Sequence, residues 1–200
     1  MTWLLTFSLL GVAVALMRGG SFAGWTRAHV HWSAVALASL ALQLVLFSAP
    51  IDRLPLVVSW GPEVWVLCLA ALCAVLVRNA IAQPSLRGAW SLAAVGVGLN
   101  VLVVGANGGY MPQSEAAHLA TRGISQTSSE ASVLRNVVPM NAETRLSTLG
   151  DVIPEPAWLP KNNVISIGDL LLGLGLAVWA FQVTAASPRR TPFRARAQAV

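Results

Sequence analysis

Five long apolar runs, joined by short turn-rich connections and one long polar interval, decide what this chain can fold into. They cover about residues 2–17, 29–48, 56–77, 88–106 and 165–186. A hydrocarbon layer about 30 Å thick is crossed by about 20 apolar residues in a helix, because a helix satisfies its own backbone hydrogen bonds where water cannot. Composition points the same way: 56% of the 200 residues are hydrophobic and 10% are charged, against roughly 25% charged in a soluble domain. Mean hydropathy is +0.66. The expected fold class is all-α, a polytopic membrane bundle of five transmembrane helices. The first run is short for a full crossing. It has no basic leader and its charge follows it, so it is expected to be a helix rather than a cleaved signal peptide. Trp32, Trp60, Trp65, Trp90 and Trp179 lie near the run boundaries, where interfacial anchors belong.

The charges divide cleanly over this map. Arg18, Arg27, Arg78, Arg87, Arg189, Arg190, Arg194 and Arg196 fall on one side, with no acidic residue among them. Arg53, Arg122, Arg135, Arg145, Lys161 and all eight acidic residues, from Asp52 to Asp169, fall on the other. Lys and Arg favour short cytoplasmic loops, so the amino terminus is expected outside and the carboxyl terminus in the cytoplasm. The net charge of +5 is then an orientation signal, and nucleic acid is not an expected partner. Membrane lipids are, and so is a membrane protein partner. The organisation expected is helices one to four in residues 1–106, an extracytoplasmic cap in 107–164, helix five in 165–186, and a basic, disordered cytoplasmic tail in 187–200.

The interval 107–164 reads as a cap of short helices lying on the outer surface. Ser114 is placed to cap a helix that stops at Gly123, and Asn141 to cap a second over 142–149 with Gly150 as its stop. Residues 125–130 are polar and turn-like, and Pro154, Pro156 and Pro160 keep the chain around Trp158 extended. On the fourth run, Ala94, Gly98 and Gly105 form a small-residue face suited to close helix contact. Asn100 and Asn107 are seven apart and share a face. An amide in hydrocarbon must find a partner, and Gln43, deep in the second run, is the candidate for Asn100.

Two aspartates are the candidate catalytic residues. Asp151 follows a short helix and Asp169 opens the fifth run, both near the outer interface. A fold that joins them would make a carboxylate pair able to share a proton and activate water. The competing explanation is capping, since Ser166-x-x-Asp169 and Thr148-x-x-Asp151 have capping-box spacing. Candidate binding residues are Asn100, Asn107, Gly108, Met111 and His118. No metal site or cofactor is expected. His29 and His31 would lie about 200° apart on a helix, and Cys68 and Cys73 point to different faces, which rules out a disulfide between them. The sequence contains no Walker loop, no GxSxG and no HExxH.

The series Arg18-Gly19-Gly20, Asn100, Asn107-Gly108-Gly109-x-Met111-Pro112, Leu149-Gly150-Asp151-Val152-Ile153-Pro154 and Ser166-Ile167-Gly168-Asp169 resembles an uncharacterised bacterial family of small multi-span membrane proteins, a domain-of-unknown-function family. The resemblance runs from the first apolar run to about Phe181. It implies a bacterial inner-membrane location and a compact helical bundle with an outer cap, and it implies no activity. Residues 163–169 are also similar, over a handful of positions, to the last-helix segment of signal peptidase II, which uses an aspartate pair near the outer leaflet. The rest of that family's pattern is absent. Three functions are therefore in view. The first is a non-catalytic subunit or binding module that engages a partner protein or lipid through the cap and the small-residue helix faces. The second is a membrane-surface hydrolase or transferase using Asp151 and Asp169. The third, a transporter, has least support, because there is no inverted repeat and no mid-membrane acid or base.

Overall fold

The computed structural model describes residues 2–122, 133–159 and 163–185. Expectations for Gly123, for 125–130, for Pro160 and Lys161, and for the tail at 187–200 lie outside the described residues. The apolar runs are helical: α1 (Thr2–Met17), α2 (Ser33–Leu46), α3 (Pro55–Ala82), α4 (Arg87–Ala106) and, after the polar interval, α6 (Ile167–Ala185), with the shorter α5 (Glu115–Arg122) inside it. Among the described residues, three helices are long and apolar enough to cross a membrane: α3, α4 with the turn before it, and α6. With 16 and 14 residues, α1 and α2 are apolar but shorter.

The helices pack in the order α1, α6, α4, α3, α2, so the last helix threads between the first and the fourth. Small residues make that insertion possible. A side chain at Gly11 would strike the Ala177 carbonyl, one at Gly24 the Val183 carbonyl, and one at Gly175 the backbone of Ala89 and Ala93. Gly96 and Gly168 face each other across the α4–α6 contact. Small residues at these positions let the backbones approach closely, and dispersion at that range contributes to the contact. The expected small face of α4 is therefore corrected. The close contacts are at Gly96, while the nearest neighbour of Gly98 is the Cys73 sulfur and nothing approaches Gly105. Gly98 and Gly105 lie on the other side of the helix from α6.

The polar interval departs from a purely helical cap. It carries α5 and four short strands: β1 (Met111–Gln113) pairs in parallel with β2 (Val137–Pro139), and β3 (Ile153–Pro154) pairs antiparallel with β4 (Val164–Ile165). Gln113 also bridges Asp151, which ties the two small sheets together. As expected, Ser114 starts α5, with its carbonyl taking the His118 amide at 2.9 Å and its hydroxyl the Ala117 amide at 3.4 Å. The second short helix is absent. The Asn141 side chain accepts the Glu143 amide at 2.9 Å and so closes a turn. Leu146 then takes a left-handed backbone at φ 53, and one 3-10 turn, Ser147–Leu149, is what remains.

The main apolar core lies where α3 and α4 meet this interval. Trp65, Val103, Val104 and Met111 are buried together, with Phe47, Val137 and Leu149 packed against them. Trp65 and Trp90 are thus corrected from interfacial anchors to buried residues, 7% and 4% exposed. Trp90 meets Trp179, and Trp179 meets Trp25 edge to face, at centroid distances of 5.4 and 5.3 Å. Trp60 and Trp158 are exposed.

The helix ends fall into two groups. At one, the segment after α1 bonds to the end of α6, with the Ser21 amide donating to the Thr184 carbonyl at 2.9 Å. The end of α3 and the start of α4 lie there too, and among the described residues this end holds Arg18, Arg27, Arg78 and Arg87. The acidic residues that are described all belong to the other end. Gly96→Ala or Gly168→Ala is expected to separate α4 from α6 and cost about 1–3 kcal/mol, as overpacking does. Gly105→Ala should leave stability within about 0.5 kcal/mol. Thermal unfolding in detergent checks both.

Candidate functional site

At the acidic end, the first turn of α6 lies beside Asn100 of α4. Ser166 has no exposed surface. Its hydroxyl accepts the Asp169 amide at 2.9 Å, while the Asp169 carboxylate accepts the Ser166 amide at 3.2 Å. This is a closed capping box, and its carboxylate lies at the positive end of the helix dipole. The same two side chains reach across to α4. Asn100 Nδ2 donates to Asp169 Oδ1 at 2.8 Å, and the Ser166 hydroxyl donates to Asn100 Oδ1 at 2.9 Å. Asn100 therefore spends both ends of its amide on α6. The expected partner Gln43 is occupied elsewhere: its Oε1 accepts the Trp65 indole N–H at 3.1 Å and its Nε2 donates to the Ser39 carbonyl at 3.3 Å.

Asp151 reaches the same region by a different route. Its amide donates to the Pro112 carbonyl at 2.9 Å and its carbonyl accepts the Ser114 amide at 2.8 Å, which locks it beside β1. One residue on, the Val152 amide donates to the Ile165 carbonyl at 3.2 Å, so the backbone runs directly against the residue that precedes Ser166. Thr148-x-x-Asp151 therefore does not form a cap. The carboxyl group is 6% exposed, and Oδ2 accepts a long 3.5 Å contact from Gln113 Nε2. Oδ1 is buried without a hydrogen-bond partner. Gln113 Oε1 lies 2.9 Å from His118 Nδ1. With the amide oriented to donate to Asp151, His118 must donate through Nδ1, because an amide oxygen only accepts. Asp151, Gln113 and His118 form one chain of hydrogen bonds.

Burial pushes the Asp151 carboxyl upward, the charge of Asp169 pushes it further, and Gln113 pulls it back only in part, leaving it at about 8. A carboxyl of this kind keeps its proton at neutral pH. The structure thus sets two polar groups near each other, Asp151–Gln113–His118 and Asp169–Ser166–Asn100, close enough for the Asp169 charge to act on Asp151. It leaves the other candidates outside. Asn107 ties the end of α4 to the Arg145 backbone, donating to its carbonyl and accepting its amide, each at 2.9 Å. Gly108 takes φ +68, and Gly109 takes φ +86 in contact with Pro62. Met111 is core.

Several polar residues escaped the sequence reading. Gln113 stands directly after the Met111-Pro112 pair, and its 3% exposure comes from strand pairing that no periodicity announces. Asn79 is fully buried. Its side chain accepts the His31 amide at 2.9 Å and donates to the His31 carbonyl at 3.0 Å. The clue was the apolar stretch that continues past Arg78, with Gln83 four residues beyond Asn79 on the same face. This clamp also corrects the placement of His29 and His31. They precede α2 rather than lying on a helix, His31 in the turn before it, and their rings meet edge to face with centroids 4.8 Å apart.

The pH dependence of stability follows from Asp151. Its carboxyl ionises near 3.8 when unconstrained and near 8 here, so between those values the folded chain binds a proton that the unfolded chain has released. This contribution is complete below about pH 4 and is lost as pH rises through about 8. Melting temperature in detergent is expected to fall from pH 5 toward pH 9, and Asp151→Asn, neutral throughout, should flatten that decline.

Neither a curated protein nor a solved structure matches the chain. A family model does match, over residues 27–181, a range that begins after Arg18-Gly19-Gly20 and takes in Asn100, Gln113, Asp151, Ser166 and Asp169. On that match the chain belongs to DUF5317, a family of unknown function.

Proposed function

We propose that this protein is a five-span bacterial inner-membrane protein, amino terminus outside and carboxyl terminus cytoplasmic, whose segment 107–164 forms an outer cap that engages a partner protein or lipid without catalysing a reaction. The observation that carries this reading is the burial of Asp151. A carboxyl 6% exposed, held between β1 and the start of α6, offers no face to a substrate. Asp169 is spent on the capping box and on Asn100, and Asn107 on Arg145. Large apolar side chains are among those the cap turns outward, with Trp158 74% exposed and Leu146 47%, beside exposed polar ones such as Arg135, Glu143 and Arg145. Such side chains suit a headgroup layer or a partner surface. The arginine-bearing end, free of described carboxylates, supports the orientation.

One observation favours a second reading, a hydrolase or transferase acting at the membrane surface. A carboxyl that keeps its proton beside a second aspartate is the arrangement of acid–base pairs. A transporter has no such support.

Affinity capture of the full chain from membranes, with lipid and protein analysis, separates these readings. The binding reading expects Trp158→Ala and Leu146→Ala to lose the captured partner or lipid about tenfold, while Asp151→Asn keeps it. Loss of a lipid or peptide turnover in both Asp151→Asn and Asp169→Asn, with folding unchanged, would sink the binding reading. A tag on the last residue that is labelled from the external side of intact cells would overturn the orientation.

A further inference from the structure

A second built site lies at the arginine end, away from the cap. A cavity of about 460 Å³ opens between the segment after α1, the end of α3, the start of α4 and the last turns of α6. Its polar lining consists of Arg27, His29, His31, Gln83, Ser85 and Gln182, with no carboxylate among the lining residues. Arg27, His29, His31, Ser85 and Gln182 carry groups that can donate a hydrogen bond, both amide protons of Gln83 are spent on Asn79 and His29, and Arg27 carries a permanent charge.

The lining is held in place. Asn79 grips both backbone groups of His31, and Gln83 Nε2 donates to the Asn79 side chain at 2.7 Å and to the His29 carbonyl at 3.0 Å. These bonds fix residues 29–31 against the end of α3, and the two imidazoles lie together at 4.8 Å. On the opposite wall, Gly24 rests on the Val183 backbone and the Trp25 indole donates to the Thr184 hydroxyl at 3.0 Å. Ser85 and Leu86, which precede the first turn of α4, also line the cavity. They bring the positive end of that helix dipole close to it.

A guanidinium, several neutral donors arriving from different elements, and a helix amino-terminal end are the components of a phosphate site. The Arg27 charge disfavours a cation, and no carboxylate lines the cavity to hold one. We propose that this cavity binds a phosphate group, either on the headgroup of an acidic lipid or on a soluble phosphorylated compound. Arg27 supplies the charge, and His29, His31 and Ser85 supply hydrogen bonds. This site is independent of the cap and of whatever the cap engages.

The test uses the full chain in detergent, with dioctanoyl phosphatidic acid and inorganic phosphate as separate probes and calorimetry as the readout. Saturable binding is expected, weakened at least about tenfold by Arg27→Gln, a change large enough to resolve as an affinity difference. The double variant His29→Asn with His31→Asn should weaken it as well. Arg78→Gln, on the same end but outside the lining, should not. Melting curves confirm that each variant folds. Binding of both probes with equal affinity identifies a soluble phosphate source, and a strong preference for phosphatidic acid identifies the lipid headgroup; both uphold the site. Absence of saturable binding by either probe, or equal losses in Arg27→Gln and Arg78→Gln, would overturn it.

Discussion

The insertion of α6 between α1 and α4 depends on backbone meeting backbone. Each of the contacts at Gly11, Gly24, Gly96, Gly168 and Gly175 leaves no room for a Cβ. Packed lipid tails are as apolar as leucine, so a helix gains little by trading lipid for another leucine-rich surface. What it gains at a glycine face is proximity, and with it dispersion and the chance to bond polar groups across the gap. The Gly96–Gly168 contact brings the first turn of α6 close enough for Asn100 to reach it, and the polar cluster follows from that.

The cluster in turn organises the interval between α4 and α6. Ser166 and Asp169 hold the α6 start, Ile165 just before it belongs to β4, and β4 pairs with β3, which directly follows Asp151 and Val152. Through Gln113 the same order extends to β1 and β2, and through Ser114 to α5. Buried polar groups are costly when unpaired, roughly 1–3 kcal/mol each, and more if charged. The protein satisfies nearly all of this set internally. Asp151 and Glu155 each keep one oxygen unpartnered, and for Asp151 the retained proton is the physical response. A neutral carboxyl can be buried where a carboxylate cannot.

Much of this was legible from the chain, for identifiable reasons. Apolar run length carries the helices: α1 spans Thr2–Met17 and α4 spans Arg87–Ala106, within a residue of where hydropathy puts them. Capping chemistry is local, so the Ser114 start and the Ser166–Asp169 box could be read from spacing alone. The strands could not. They are two or three residues long, held by long-range pairing, and too short to express a period of two. The second short helix failed because Asn141 closes a turn on its own terms. Gln43 was the wrong partner for Asn100 because helix order in space is not helix order in sequence: α2 lies at one edge of the row, and α6 packs directly against α4. Asp151 and Asp169 shared motif spacing, but only their environments separate them, one a cap and the other a buried acid.

The cavity at the arginine end has its origin in helix length. With 28 residues, α3 rises about 42 Å at 1.5 Å per residue, and the 14 residues of α2 rise about 21 Å. Neighbours of such unequal length cannot both be helical to the same level, and α2 gives way. It begins at Ser33, four residues later than apolarity predicts, after Trp32 in a left-handed conformation at φ 58. The backbone of 29–31 is left without helical partners in a region where unpaired amides are expensive. Asn79 and Gln83, on the longer helix, supply the bonds that α2 does not. The bonds that Asn79 and Gln83 make to this segment are therefore the counterpart of a truncated helix. The space that truncation leaves, walled by Arg27 and two imidazoles, is the polar cavity.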